Sequence, residues 1–161
     1  MMVTRPRPSL LNIRSGSAAD LEGVMRIMDR AFDPEFGEAW TRSQCLGIMP
    51  MTGVTLLLAE EDGGPVGFAL HRLVADEAEL LLLAVDPTFH RRGIGSRLLQ
   101  QFIVASTRAG ASRLHLEVRE NNPAAIMYRA TGFEIVGRRR NYYTGRSGGS
   151  RDALTLSRTV G

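Results

Sequence analysis

Near the start of the chain, Leu21, Val24, Met25, Met28 and Phe32 recur at the spacing of one helix face. Ser17, with Asp20 three residues on, forms a capping-box start for that helix. The helix should end by Asp33, because the residue before Pro34 disfavours the α region. FDPEFGEAW reads as an aromatic-rich loop, and residues 40–48 as a short second helix stopped by Pro50. The period then falls to two. Residues 54–60 and 66–74 read as strands joined by the turn EDGGP, a hairpin. Residues 78–85 are almost continuously apolar, the pattern of a strand covered on both faces. Ile94, Leu98, Leu99, Phe102 and Ile103 mark an amphipathic helix that Gly110 closes. Residues 114–119 alternate as a strand. ENNP opens a third long helix, running to about residue 130, with Pro123 near its first turn and Gly132 at its end. The last strands are 133–140 and 153–159, joined by the loop TGRSGGSR, and residues 10–14 are a short first strand. The order β-α-α-β-β-β-α-β-α-β-β mixes hairpins with a strand–helix–strand crossover. It predicts a three-layer α/β fold: a central, mostly antiparallel mixed sheet with helices on both faces. Neither a repeat nor a domain boundary interrupts it, so residues 1–161 read as one domain, with 1–9 a loose tail holding two prolines.

Composition narrows the classes. With 161 residues, 43% hydrophobic and 23% charged, the chain can bury a core without disulfides or metals. Cys45 is the sole cysteine, so no internal disulfide forms. The longest apolar run, 80–85, is too short for a bilayer, and MMVTRPRPS has no secretory apolar core. These features point to the cytoplasm and away from a membrane. The net charge is +3 and aromatics are 6%, which argues against a nucleic-acid partner. All 20 basic residues are arginine. A GC-rich genome accounts for that, and so does an acyltransferase that offers itself no side-chain amine. His71, His90 and His115 have no ligand-like spacing, so no metal is expected.

The most informative segment is AVDPTFHRRGIGSRLL, where a strand runs through a glycine turn into a helix. Gly93 and Gly95 permit a tight bend and close approach to a ligand. The first N–H groups of the helix, with its dipole, favour an anion, and Arg91, Arg92 and Arg97 add positive charge. A third glycine and a following acidic residue, as in a dinucleotide fingerprint, are missing, and so is the Lys of a Walker A loop. The chemistry suits a pyrophosphate; the plain alternative is a solvated strand-to-helix turn.

HRRGIGSRLL resembles the acyl-CoA pyrophosphate loop of the GCN5-related N-acetyltransferase (GNAT) family, whose pattern is Gln/Arg-x-x-Gly-x-Gly/Ala. His90 stands where Gln or Arg is usual. LLLLAVDP resembles the family's fourth strand, and LHLEVRENNPAAIMYRATGFEIVGRRRNYYT its fifth strand, following helix and sixth strand. Within the family, LEVR, Asn, Ala-Ala-Ile, Tyr-x-x-x-Gly-Phe and Arg-Arg-x-Tyr-Tyr are most similar to the bacterial ribosomal-protein-alanine N-acetyltransferases. The resemblance implies acetyl-CoA as co-substrate and a ribosomal protein N-terminus as acceptor, by direct attack in a ternary complex. It implies a coenzyme site at Leu83, Ala84, Val85, Arg91, Arg92, Gly93, Ile94, Gly95 and Ser96, with Asn121 or Asn122 on the pantetheine arm. It implies Glu117 as base and Tyr128 as acid, and an acceptor entrance at Phe32, Phe36, Tyr142 and Tyr143.

An α-amine with a pKa of about 7.7–8 is largely protonated at neutral pH, so attack on a thioester needs a proton route. Periodicity alone makes Glu117 a solvent-facing strand residue and Tyr128 a helix residue packed on the sheet. Glu79 is read as an edge-strand charge rather than a second carboxylate of the site, Arg138–Arg140 as solvated, and Cys45 as a buried small hydrophobe. One departure from the family pattern bears on the acid. Asn121 keeps the usual seven-residue step to Tyr128 but lies four after Glu117, where five is usual; Asn122 keeps the five and shortens the other. One residue is about 100° of helix rotation. A different acceptor (a small amine, an antibiotic or a lysine side chain) and a non-catalytic acyl-CoA sensor are the alternatives.

Overall fold

The computed structural model describes residues 10–161; the expected tail at 1–9 lies outside them. Seven strands form one sheet in the order β1-β2-β3-β4-β5-β7-β6. They are β1 (Leu11–Ser15), β2 (Val54–Glu61), β3 (Gly64–Val74), β4 (Glu77–Val85), β5 (Arg113–Arg119), β6 (Glu134–Thr144) and β7 (Ser150–Thr159). The described helices are α1 (Leu21–Ala31), α2 (Arg42–Ile48), α3 (Ile94–Arg108) and α4 (Ala124–Ala130). Among the described residues only β4 and β5 pair in parallel, the two joined by the α3 crossover. The mixed sheet expected from the element order is present.

Local chemistry explains the elements. Ser17 accepts from the Ala19 N–H, and Asp20 accepts in return from the Ser17 N–H, so the capping box forms on a 3-10 turn that feeds α1. Thr41 and Gln44 cap α2 in the same reciprocal way. Gly110 takes a φ of 105° to end α3. The helix expected to be long after ENNP is only seven residues, held between Pro123 and Gly132.

Two cores lie on the two faces. Leu21, Val24, Ile27 and Met28 of α1 and Cys45 of α2 pack on Leu56, Leu58, Phe68, Leu70, Leu82 and Ala84. Cys45 is 1% exposed and serves as core. On the other face, Ile94, Leu98, Leu99, Phe102 and Ile103 of α3, with Tyr128 and Phe133, pack on Leu57, Val66, Leu80, Leu114, Leu116 and Leu156. His71 is buried there beside Phe102 without a hydrogen bond, and burial lowers its pKa to about 4.

The run 78–85 is not uniformly covered: fully buried and half-buried residues alternate along it. Leu82 pairs with Leu70 and Leu80 with His71, so Leu81 has no opposite number on β3. This bulge reverses the phase of the strand. Before it, Ala78 and Leu80 face α3; after it, Leu82 and Ala84 face α1. Strand β4 lies inside the sheet, so Glu79 is not an edge charge. No described helix is long and apolar enough to cross a membrane.

Candidate active site

The bulge marks where the sheet opens. Parallel pairing of β4 and β5 runs from Glu77–Arg113 to Leu80–Leu116 and stops there. Strand β5 continues against β7 through Glu117, Val118 and Arg119, while Leu81–Val85 of β4 keep pairing with β3. The main-chain edge of β4 beyond Leu80 therefore borders a cleft. A groove of about 590 Å³ and a pocket of about 150 Å³ open into it. Phe32, Glu38, Leu83, Asn122 and Ala124 line both, so the two meet at those residues.

The groove carries most of the expected coenzyme residues: Leu83, Ala84, Val85, Arg91, Gly93, Ile94, Gly95, Ser96 and Asn122. Asp86 shapes the approach. Its carboxylate accepts from the Thr88 N–H at 2.9 Å and pairs with Arg30 of α1 at 3.2 Å. His90 donates through Nε2 to the carbonyl of Val85 at 3.0 Å, folding the turn onto the end of β4. Arg91 and Gly93 are left-handed, at φ 65° and 74°. Gly93 is the N-cap of α3 and no side chain caps that helix, so its first N–H groups are left for an anion. A Cβ at Gly93 would meet nothing, which fits an open phosphate cradle. Arg92 does not line the groove; it bonds Glu61 at 2.6 Å and lies over Phe89. Phe36 lines the groove rather than the pocket.

The pocket is walled by Phe32, Trp40, Glu79, Glu117, Tyr128, Tyr142 and Tyr143. The Glu117 side chain is 12% exposed, so it is not a solvent-facing strand residue. Burial raises its pKa, Arg139 and His115 oppose that, and Glu79 adds to it. Arg139 Nε lies 2.7 Å from Glu117 Oε1, so Arg139 is not merely solvated as expected. Glu79 stands 3.8 Å from His115 Nε2, and that carboxylate raises the histidine pKa. Tyr128 is 6% exposed and sits edge-on to Phe133. Burial, and then Glu38, push its hydroxyl pKa upward.

A tight turn leads from β5 into the helix that carries Tyr128. The Asn122 N–H donates to the Arg119 carbonyl at 2.9 Å, with Asn121 left-handed at φ 68°. Asn122 Oδ1 then accepts from the Ala124 N–H at 2.9 Å and starts α4 at once. Tyr128 still reaches the pocket that holds Glu117. Asn122 faces the cleft; Asn121 lines neither cavity.

Glu38 was not singled out in the sequence. It is 11% exposed and accepts from Arg119 Nε at 3.0 Å and from Asn122 Nδ2 at 2.8 Å. The Arg119 guanidinium lies 3.8 Å from the Phe36 ring centre. The only sequence signal was a carboxylate amid aromatics in FGEAW. The same loop is tied to the β6–β7 connection. Glu35 accepts from the Ser147 N–H and hydroxyl at 3.0 and 2.9 Å, and the Pro34 carbonyl accepts from the Arg146 N–H at 3.1 Å. The two loops are thus joined, and Glu38 and Trp40 from the first and Tyr143 just before the second help to wall the pocket.

A backbone anion cradle running into a carboxylate- and tyrosine-walled pocket defines a group-transfer site. The model of the acetyltransferase (GNAT) family matches residues 21–133, and the chain belongs to that family and is an acyltransferase. It is 36% identical over 142 residues to the ribosomal protein bS18-alanine N-acetyltransferase of Salmonella typhimurium, covering 88% of this chain and 92% of that one. It is 42% identical over 108 residues to the N-alpha-acetyltransferase RimI of Mycobacterium tuberculosis, covering 64% and 65%. The crystal structure of the ribosomal-protein-S18-alanine N-acetyltransferase from Escherichia coli superposes with a TM-score of 0.83, at 31% identity over 94% of both chains.

Proposed function

We propose that the protein transfers an acetyl group from acetyl-CoA to the α-amine of a protein N-terminus, of the ribosomal-protein alanine type. The observation that carries this reading is the meeting of groove and pocket at Glu38, Leu83 and Asn122. A long anionic thioester fits the first opening, and an amine fits the second. The names of the relatives supply the acceptor class, and a ribosomal acceptor sets the reaction in the cytoplasm.

In this reading the N–H groups at the start of α3, with Gly93, Ile94, Gly95, Ser96 and Arg91, hold the pyrophosphate. The free edge of Leu83–Val85 pairs with the pantetheine arm, and Asn122 bonds that arm from across the groove. Arg92 and Asn121 have no part in it. Phe32, Tyr142 and Tyr143 enclose the acceptor's first residue, and Phe36 backs Arg119. Glu117 takes a proton from the acceptor ammonium, directly or through water, and the amine so freed attacks the thioester carbonyl. The new C–N bond forms as the C–S bond breaks, and the second proton that the nitrogen sheds on becoming an amide passes to the leaving thiolate. Tyr128 donates a hydrogen bond to that sulfur. With its pKa pushed up by burial, the phenol stays protonated, so it stabilises the thiolate rather than surrendering its proton outright.

The test is acetyl-CoA consumption with two matched peptides, one with a free N-terminal alanine and no lysine, one blocked with a single internal lysine. Turnover of the first alone is expected. Turnover of the second alone moves the assignment to side-chain amines, and silence on both, with coenzyme bound, moves it to a small amine or a sensor. Glu117→Gln should cut turnover by about 10²–10⁴ while acetyl-CoA affinity holds; unchanged turnover removes Glu117 as base.

A further inference from the structure

The carboxylate of Glu117 is used unequally. Oε1 forms an ion pair with Arg139 Nε at 2.7 Å, whereas Oε2 is enclosed by the protein and has no hydrogen-bond partner. A buried carboxylate oxygen without a donor is costly, and the ion pair at Oε1 offsets part of that cost. Arg139 comes from β6, on the far side of β7 from Glu117. Thr155 of β7 stands in register with Glu117 on one side and with Gly137 on the other. Gly137 presents no side chain there, and Arg139, two residues on, reaches back to the carboxylate. Its guanidinium also lies 5.4 Å from the ring centre of Tyr142, a wall of the pocket.

We propose that Arg139 is the positioning residue of the transfer reaction: its ion pair with Oε1 fixes the carboxylate of Glu117 in the wall of the pocket. This rests on Glu117 being the base. The other charged and titratable groups around Glu117 do not hold Oε1. Glu79 from β4 is a like charge, and His115 shares β5 with Glu117 and lies beside Glu79. Tyr128 of α4 and Tyr142 and Tyr143 of β6 wall the pocket. Glu38 is engaged by Arg119 and Asn122. Arg139 is thus the cation bound to the carboxylate, and its side chain is 61% exposed, so its loss should leave the fold standing.

The experiment compares Arg139→Gln and Arg139→Lys with the unaltered protein. It reads the pH dependence of kcat/KM on an alanine-terminated peptide and, separately, the carboxyl-carbon NMR titration of Glu117 without substrate. Removing the cation favours the protonated carboxyl, so both the acidic limb and the titration should move up, by about one pH unit. Arg139→Lys should restore most of that shift. The KM for acetyl-CoA should not change, and in a Glu117→Gln background Arg139→Gln should add nothing. If neither the limb nor the titration moves in the folded Arg139→Gln protein, the proposal is overturned. If the titration moves and the limb does not, Glu117 is not the base, and the proposal falls with that reading.

Discussion

Along one wall of the cleft, at Leu83–Val85 and Gly93–Ser96, the groups offered to a ligand are main-chain amides and carbonyls from one short stretch of chain. Across from it, the wall is made of side chains gathered from afar: Glu38 meets Arg119 81 residues on, and Glu35 meets Ser147 112 residues on. In the proposed reading the first wall takes whatever carries phosphate and amide groups, because a helix start and a free strand edge read only those features. In the same reading the second wall selects what reacts, because charge, depth and width there depend on individual residues. Substitutions should therefore separate: on the amide wall they should change coenzyme affinity, and on the side-chain wall stability, acceptor binding and rate.

The largest effect on stability is expected at Glu38. Replacing it by Ala leaves the Arg119 guanidinium, 9% exposed, without its counter-charge. Removing one partner of a buried ion pair costs roughly 3–5 kcal/mol. The Phe36 ring and the Glu120 carbonyl, 3.3 Å from Arg119 Nη1, remain, which places the change near the lower end. For a chain of this size that corresponds to a fall in Tm of about 10 °C, measurable by calorimetry. Asn122 loses a partner as well, so the coenzyme groove should loosen with the pocket. An unchanged Tm would mean that the two walls do not share this joint.

A smaller effect, confined to the acceptor side, is expected where the two loops join. A Cβ at Gly145 would run into the Glu35 carbonyl oxygen, so Gly145→Ala must part the two loops. Overpacking of this kind costs about 1–3 kcal/mol. The acceptor peptide's KM should rise about tenfold, the equivalent of 1.4 kcal/mol, while the acetyl-CoA dissociation constant stays put. A matching loss of coenzyme affinity would erase the distinction between the walls.

The same distinction explains which parts were legible in the sequence. Helix spacing, the Ser17–Asp20 capping box, the EDGGP turn and the Gly93–Gly95 turn are local patterns, and each formed where it was expected. Leu81 hid because LLLLAV is apolar on either phase, so a strand that changes face in mid-run shows no break in its pattern. Glu79 was misread because strand order depends on pairings that no local stretch encodes. The grips of Glu38 on Arg119 and of Arg139 on Glu117 join distant segments, so neither segment alone announces them. The shortened step to Tyr128 looked like a rotation of the helix. Tyr128 nevertheless lines the same pocket as Glu117, beyond a turn in which Asn121 takes the left-handed conformation that asparagine tolerates better than most residues.

The smallest effect on folding, and the sharpest test of the amide wall, is expected at Gly95. A Cβ there would meet Met127 Sδ at 3.6 Å, Val85 Cγ2 at 3.7 Å and Leu83 Cδ2 at 3.8 Å, all ordinary contacts. Alanine also suits a helix better than glycine, by up to about 1 kcal/mol. Gly95→Ala should therefore leave Tm unchanged or slightly raised. Met127, Val85 and Leu83 all line the groove, however, so the added methyl stands among them in the path of the coenzyme. Acetyl-CoA affinity should fall about fivefold, close to 1 kcal/mol, with kcat at saturation and the acceptor's KM untouched. Calorimetric titration beside a thermal scan reads both quantities on one preparation. A glycine kept for folding would lower Tm when replaced, whereas a glycine kept for the approach of the coenzyme lowers affinity alone, and the unstrained contacts of this Cβ favour the second.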